Sequence, residues 1–331
     1  MNHEVFMSEA LRIAEQGRGK VAPNPMVGAV LVKNNEIIAT GFHQEYGQPH
    51  AEVNCLKNLN SPLTGDEIMY VTLEPCSHHG KQPPCADFLI DSGIKSVVVA
   101  MKDPNPLVAG NGIAKLLDAG ITVESGVCEK EALQLNRGFA KRITEGRPWI
   151  TLKVAMTMQG HLAPIPLERV QLTTEESRVK VYNLRAEYDA ILVGRNTLLI
   201  DNPYLGATAG KYQPLRVVWG RSAESSLSVD LDWYRDENRR YCQAVTVTEL
   251  LSQLEDVNSV FVEGGAQVLK AFANFGLVDE LYVLIPQQHA GFNKGLFAFD
   301  KNMDWLSKLK LQELEQVGTD LWLRFISHIT Q

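Results

Sequence analysis

No run of about 18 consecutive apolar residues occurs in the chain, so no segment reads as a membrane-spanning helix. Cysteine is scarce. Five in 331 residues, an odd number, do not make a disulfide framework and suit a reducing compartment. Basic residues are outnumbered, 32 Lys and Arg against 39 Asp and Glu for a formal net charge of −7. That balance argues against a dedicated nucleic-acid surface, which needs clustered cations to neutralise phosphates, but leaves room for a basic pocket around a single phosphate. No internal repeat of fixed period and no low-complexity tract is visible. At the N-terminus Val5, Phe6, Ala10, Leu11, Ile13 and Ala14 recur at helical spacing between Glu4, Glu9, Arg12 and Glu15. This predicts an amphipathic helix rather than the unbroken apolar core of a secretory leader, so the expected location is the cytoplasm.

What is present is ordinary globular composition, 45% hydrophobic and 21% charged, over a length that suggests two domains. In the first half, strand-like runs at residues 26–32, 36–40, 68–73, 96–100 and 121–123 alternate with helical stretches near 51–59, 85–92 and 113–119. Asn34-Asn35 reads as a turn, and the alternation predicts an α/β layered domain with a mostly parallel sheet. A helix over 130–144 ends in Glu145-Gly146-Arg147-Pro148, a firm stop. The expected boundary lies there, giving domains 1–146 and 147–331. The second half repeats the alternation with strands at 149–155, 190–193, 215–219, 259–262 and 280–285 and helices near 175–185 and 266–275. Residues 221–241 are predominantly polar and predict no regular element.

The chemistry is concentrated in His50-Ala51-Glu52, Pro75-Cys76 and Cys85. One imidazole and two thiolates make three ligands, and a catalytic zinc site keeps three protein ligands with an open fourth position. Zinc lowers the pKa of water to roughly 7, and a carboxylate that is not a ligand must then carry the proton to the leaving amine. Glu52, at the start of a helix two residues from His50, is placed for that task. This is the pattern of the nucleobase deaminases. The short form of that pattern has about two residues between its cysteines, whereas eight stand here, Ser77 to Pro84. Gly80 and the Pro83-Pro84 pair make the segment a loop, with Pro84 able to open a helix at Cys85. A closed structural site would need a fourth ligand from His78 or His79, and Glu52 would then have no task. Cys55, Cys128 and Cys242 belong to no motif and read as packing residues.

These residues resemble the bacterial riboflavin-biosynthesis deaminase/reductase (RibD) family. The resemblance is carried by Asn24-Pro25 with Val27-Gly28, Gly41-Phe42-His43, His50-Ala51-Glu52-Val53, the run from Tyr70 to Lys81, Pro83-Pro84-Cys85, and Asp103-Pro104-Asn105-Pro106 through Gly110. The eight-residue cysteine spacing is typical of that family. The resemblance implies a cytidine-deaminase-like three-layer α/β/α domain that binds Zn2+ and removes an amino group hydrolytically from a ribosylated diaminopyrimidinone 5′-phosphate. It also implies that Asn24, His43 and Lys81 line the substrate pocket. From the residues alone, Asn24 is equally a turn former before proline, His43 a surface histidine and Lys81 a solvated loop cation.

The same resemblance implies a C-terminal dihydrofolate-reductase-like α/β domain that uses NADPH to reduce the ribosyl group of the deaminated product, and pairing of two chains through that domain. Lys153 and Thr157, Arg185, Thr197, Asp201, and Glu263 with Gly264 and Gly265 occupy the corresponding substrate and cofactor positions. The Gly264-Gly265 turn before a helix is a place where backbone amides can face phosphate. Departures accompany the matches. Gln159 stands where the family has an acid, Arg169 where it has Ser, Gln171 where it has Trp, and Thr208 where it has Arg. Losing a charge-assisted phosphate contact costs about 1.5–3 kcal/mol. Three readings follow: the usual reduction in a rearranged pocket, reduction of a related pyrimidine, or a scaffold that supports the deaminase alone. A tRNA deaminase would need basic and aromatic surfaces, which the first 146 residues lack beyond Lys141-Arg142.

Overall fold

The structure, a computed structural model, describes residues 2–78, 83–106, 108–165, 170–228, 230–287, 292, 294–300 and 304–327. The chain divides into two units, Met1–Gly146 and Arg147–Thr330. Gly146, at φ 69°, ends the last helix of the first unit in the left-handed conformation that glycine adopts without penalty.

The first unit runs α1 (His3–Ala14), β1 (Gly28–Lys33), β2 (Glu36–Phe42), α2 (Ala51–Lys57), β3 (Ile68–Leu73), α3 (Cys85–Ser92), β4 (Ser96–Met101), α4 (Asn111–Asp118), β5 (Thr122–Ser125), α5 (Glu129–Leu135) and α6 (Arg137–Glu145). Its sheet has the order β2-β1-β3-β4-β5. Asn34 and Asn35 both take positive φ, 52° and 63°. A two-residue loop with both residues in that region joins antiparallel strands, because its twist matches theirs. β1 therefore pairs β2 antiparallel, and it pairs β3 antiparallel as well. Only β3/β4 and β4/β5 are parallel, so the sheet is mixed rather than mostly parallel as the alternation predicts. In β1, β3 and β4 nearly every residue is buried. Successive residues of a strand point to opposite faces, so both faces of the sheet are covered.

Two local features position the segments that carry chemistry. A Cβ on Gly41 would lie 2.2 Å from the Cys55 amide nitrogen, so only glycine lets β2 and α2 approach this closely. The helix expected over 130–144 breaks at Asn136 (φ −106°, ψ 22°) into α5 and α6. The Asn136 side chain accepts from the Met26 amide at 2.8 Å and donates to the Met26 carbonyl at 2.9 Å. It acts as a strand partner for one residue and fixes the segment that carries Asn24.

The second unit contains β6 (Trp149–Ala155), β7 (His161–Pro164), α7 (Glu175–Arg185), β8 (Ala190–Gly194), α8 (Arg195–Asp201), β9 (Leu215–Gly220), β10 (Arg239–Gln243), α9 (Val247–Ser252), β11 (Ser259–Val262), α10 (Ala266–Asn274), β12 (Glu280–Pro286), β13 (Gly295–Phe297), β14 (Leu309–Val317) and β15 (Asp320–Ser327). Its large sheet has the order β10-β9-β8-β11-β6-β12-β15-β14, and β13 pairs β7 separately. The pairs from β10 through β12 are parallel, and the C-terminal hairpin adds β15 and β14 antiparallel. That hairpin is absent from the elements predicted by pattern. β14 mixes leucines with polar and charged residues, its alternation breaking at a register shift between Leu311 and Glu313, and most of both its faces is exposed. The polar stretch 221–241 holds two short 3-10 turns and the start of β10, anchored by buried Leu227, Leu231 and Trp233. Their irregular spacing leaves no period to read.

Candidate metal centre

α2, the loop after β3, and α3 bring the three predicted ligands together. His50 occupies the N-cap of α2 in extended conformation (φ −73°, ψ 169°), and Glu52 lies in the first turn. Cys85 is the first residue of α3, behind Pro84 at the N-cap. His50 Nδ1 lies 3.2 Å from Cys85 Sγ and 3.6 Å from Cys76 Sγ. The three ligand atoms all fall within 4.8 Å of one another, and among the described residues no other His, Cys, Asp or Glu joins them. A tetrahedral zinc, with bonds of roughly 2.3 Å to sulfur and 2.0–2.1 Å to nitrogen, requires nitrogen–sulfur separations of about 3.6 Å. The donor set and its spacing fit that ion.

The electrostatics agree. Cys76 Sγ accepts hydrogen bonds from the Cys85 thiol and from the Cys85 amide at 3.3 Å, and it faces His50. These contacts pull its pKa down to about 4. The Cys85 thiol is pushed well above its usual range, first by that contact with Cys76 and then by burial. The two sulfurs in contact are thus shifted in opposite directions, and a dication at the centre would favour the thiolate form of both. Glu52 is 3% exposed, and burial raises its carboxyl above the usual range although His50 pulls the other way. It lies in hydrogen-bonding contact with Cys85 without joining the ligand cluster.

His43 is 2% exposed, which excludes the surface reading. Its ring stands edge-on to that of His50, with centroids 5.3 Å apart. Nδ1 lies 3.2 Å from the Pro49 carbonyl, which makes it the protonated nitrogen and leaves Nε2 to accept from the Asn24 amide at 3.1 Å. Burial lowers the His43 pKa, keeping the ring neutral. Asn24 and His43 thus form one unit beside the metal ligands. Lys81, the third predicted pocket residue, lies outside the described residues, as do His79 and Arg169.

In the second unit a different cluster forms. Glu263, just past β11, pairs with Lys153 of β6 at 3.1 Å and with the Arg185 guanidinium at the end of α7, Nε–Oε1 2.6 Å and Nη2–Oε2 3.2 Å. Burial alone would raise this carboxyl, but the two cations hold it at about 2. Arg185 Nη1 also donates to the carbonyls of Tyr204 (2.6 Å) and Gly206 (3.0 Å). Four N–H contacts of Arg185 are therefore internal, and the residue ties Glu263 to the 204–206 loop. Gly265 donates its N–H to Thr197 Oγ1 at 3.1 Å, so that amide of the turn is taken by a side chain. Thr157 is buried and closes its own turn, accepting on Oγ1 from the His161 amide at 3.2 Å. Asp201 ends α8, and its neighbour Asn202 caps Asp232. Thr208, at one of the divergent positions, donates to Asn183 of α7 at 3.0 Å. The structure thus brings Lys153, Arg185 and Glu263 together and joins Thr197 to Gly265, whereas Thr157 is tied into its own turn.

Two of the buried acids, one of them within the Tyr70–Lys81 run, are given no role by the sequence. Glu280, fully buried on β12, accepts from Thr151 Oγ1, Tyr188 OH, Trp149 Nε1 and Arg324. Glu74, ahead of Pro75-Cys76, accepts from four backbone amides. In the sequence each shows only as an acid at the border of an apolar strand run, Glu74 just after β3 and Glu280 at the start of β12.

Comparison with known proteins divides along the chain. Residues 1–101 match the cytidine and deoxycytidylate deaminase zinc-binding region, and residues 148–323 match the RibD C-terminal domain. The riboflavin biosynthesis protein RibD of Aquifex aeolicus is 37% identical over 348 residues, covering 97% of both chains. That of Escherichia coli K12 is 36% identical, over 98% of this chain and 100% of its own. Among solved structures, Acinetobacter baumannii RibD superposes with a TM-score of 0.84 at 33% identity, over 98% of this chain and 99% of that one. A Thermotoga maritima diaminohydroxyphosphoribosylaminopyrimidine deaminase/5-amino-6-(5-phosphoribosylamino)uracil reductase gives 0.85 at 34% identity with the same coverage.

Proposed function

The chain belongs to the RibD family of riboflavin-biosynthesis proteins, and from that premise we propose that its first unit deaminates diaminohydroxyphosphoribosylaminopyrimidine and its second reduces the ribosyl group of the product. The observation that carries the reading is the His50–Cys76–Cys85 cluster with a buried, non-ligating carboxyl beside it.

His50, Cys76 and Cys85 would hold Zn2+, which supplies a Lewis acid that makes water acidic near neutral pH. Glu52 takes a proton from the attacking water and delivers it to the departing amine. The ring carbon gains oxygen and loses ammonia, so the sum is water consumed and ammonia released. A carboxyl raised by burial is suited to both halves of that transfer, since the best proton carrier titrates near the working pH. Asn24 and His43, locked to each other and to the Pro49 carbonyl, present a rigid neutral wall beside the ligands. Such a wall orients an uncharged aminopyrimidine without competing for the proton.

In the second unit Lys153 and Glu263 sit on β6 and directly after β11, adjacent parallel strands. In α/β sheets the crevice outside the carboxyl ends of parallel strands is where ligands bind. NADPH bound there would supply the hydride. Glu263 keeps the Lys153 ammonium in place, and Arg185 keeps Glu263 in place while holding the 204–206 loop. On this reading Arg185 supports the pocket from behind rather than grasping a phosphate. The divergent positions then describe a rearranged pocket for the usual reduction. The same reading puts the protein in the cytoplasm, with none of the five cysteines in a disulfide, and pairs two chains through residues 147–331.

The test is to follow both half-reactions on one preparation of measured zinc content. Wild-type protein releases ammonia from the diaminopyrimidine and oxidises NADPH with the deaminated product. Glu52→Gln retains zinc and NADPH oxidation and loses deamination by about 10²–10⁴-fold, the usual contribution of a positioned proton carrier. Full deaminase turnover in that variant refutes the assignment of Glu52, and absence of NADPH oxidation in the wild type refutes the second activity.

A further inference from the structure

Glu74 stands between the end of β3 and the Pro75-Cys76 turn, and it is buried. Its own amide donates to the Met101 carbonyl at 2.9 Å, which prolongs the β3/β4 pairing to this residue. Its carboxylate gathers four backbone N–H groups from one segment. Oε2 accepts from Asp103 at 3.1 Å and Gly110 at 2.9 Å, and Oε1 accepts from Gly112 at 2.8 Å and Ile113 at 3.2 Å. Three of these donors lie at the start of α4, where helix amides have no intrahelical partner. The N-cap residue there is Gly110, which has no side chain to offer, so Glu74 caps the helix from a distant part of the chain.

The same junction is sterically closed. A Cβ on Gly112 would lie 1.9 Å from the Pro75 carbonyl oxygen. On the far side of Cys76, its carbonyl accepts from the Ala86 amide at 3.1 Å and its sulfur from the Cys85 amide at 3.3 Å. Cys76 is therefore suspended between two anchors. One is the start of α3, which also carries Cys85. The other is Glu74 with the start of α4.

We propose that Glu74 is a positioning residue of the metal centre, fixing the Cys76 sulfur relative to His50 and Cys85 by clamping the Pro75-Cys76 turn to residues 103–113. The inference rests on the reading of this centre as a zinc site. A glutamine would fill the same space, but it offers one acceptor oxygen and turns an NH2 group toward amides that also donate, so two of the four contacts are lost. Gly112→Ala attacks the same junction from the other side while keeping the carboxylate in the sequence, since its Cβ would meet the Pro75 carbonyl oxygen at 1.9 Å and the Glu74 Cγ at 3.2 Å.

Cobalt(II) substituted into the full-length protein tests this, since its thiolate charge-transfer and ligand-field bands report the geometry of the sulfur ligands. A thermal unfolding scan of each cobalt-loaded variant checks that the first unit is folded, and NADPH oxidation by the second unit serves only to normalise the amount of protein. In the wild type a tetrahedral thiolate spectrum is expected. Glu74→Gln and Gly112→Ala should both shift or weaken those bands and release metal to a chelator about 10–100-fold faster, the usual effect of removing a group that supports a ligand. Should Glu74→Gln fail to fold, Glu74→Asp, which keeps the charge and withdraws it by one methylene, carries the same comparison. Variants that unfold at lower temperature yet keep the wild-type cobalt spectrum and release rate overturn the proposal, because Glu74 would then serve stability alone. A wild type without any thiolate–cobalt band removes the metal reading itself, and this inference with it.

Discussion

Charge placement decides most of what single residues do in this protein. Glu52 and Glu263 are both buried carboxyls, but their surroundings drive them in opposite directions. Glu52 has burial as its dominant influence and is raised, which suits a group that must take up and release a proton. Glu263 has two cations against it and is lowered from the usual 4.5 to about 2. A group depressed in the folded state contributes stability that is present above its unfolded pKa and lost as pH falls through the folded one. That stability, on the order of a few kcal/mol, is lost progressively as pH falls from about 5 toward about 2. Thermal unfolding of wild type and Glu263→Gln across that window checks this: the wild-type advantage should be greatest at pH 6–7 and shrink as the pH drops, as expected of a carboxylate that titrates only when folded near pH 2. A gap that stays constant with pH would show that the ion triad contributes nothing through ionisation.

At the scale of elements, the centre depends on where three segment ends stop. α2 must begin at His50, β3 must end before Cys76, and α3 must begin at Cys85. The position of α2 is set by its contact with β2 at Gly41. Alanine there would place Cβ against backbone rather than a yielding side chain, so the helix has to move. Overpacking of this kind costs about 1–3 kcal/mol. Gly41→Ala is expected to lower stability by that amount and to reduce deamination while leaving NADPH oxidation at the wild-type rate, which paired assays and a denaturant titration will show. The break at Asn136 belongs to the same scale. Apolar periodicity runs straight through residues 130–144, and nothing in it announces that one side chain leaves the helix to pair with Met26.

For the whole molecule, two units with separate cores imply two activities that respond separately to their cofactors. Removal of metal by a strong chelator should abolish ammonia release and leave NADPH oxidation intact, with deamination restored by added Zn2+ alone. Loss of both activities on chelation would mean that metal supports the fold of the entire chain, as in small metal-stapled domains. The described residues include no helix long and apolar enough to cross a membrane.

The grouping of His50, Cys76 and Cys85 with Glu52 beside them, and the alternation of strands and helices, were legible in the residue order. They depend on residue type and on short spacings, and both survive reading along one dimension. Boundaries marked by glycine and proline, such as the stop at Gly146, were legible for the same reason. The hydrogen-bond partners were not. Glu74 finds acceptable donors about thirty to forty positions downstream, Arg185 closes on Glu263 seventy-eight positions away, and Glu280 joins Trp149, Thr151, Tyr188 and Arg324 from three separate segments. Apolar periodicity reports that a position is buried, but a buried polar group must be satisfied by whatever the folded chain places beside it. Only the tertiary structure could therefore decide that Arg185 faces inward, that the first sheet is mixed, and that Cys76 is held from both sides.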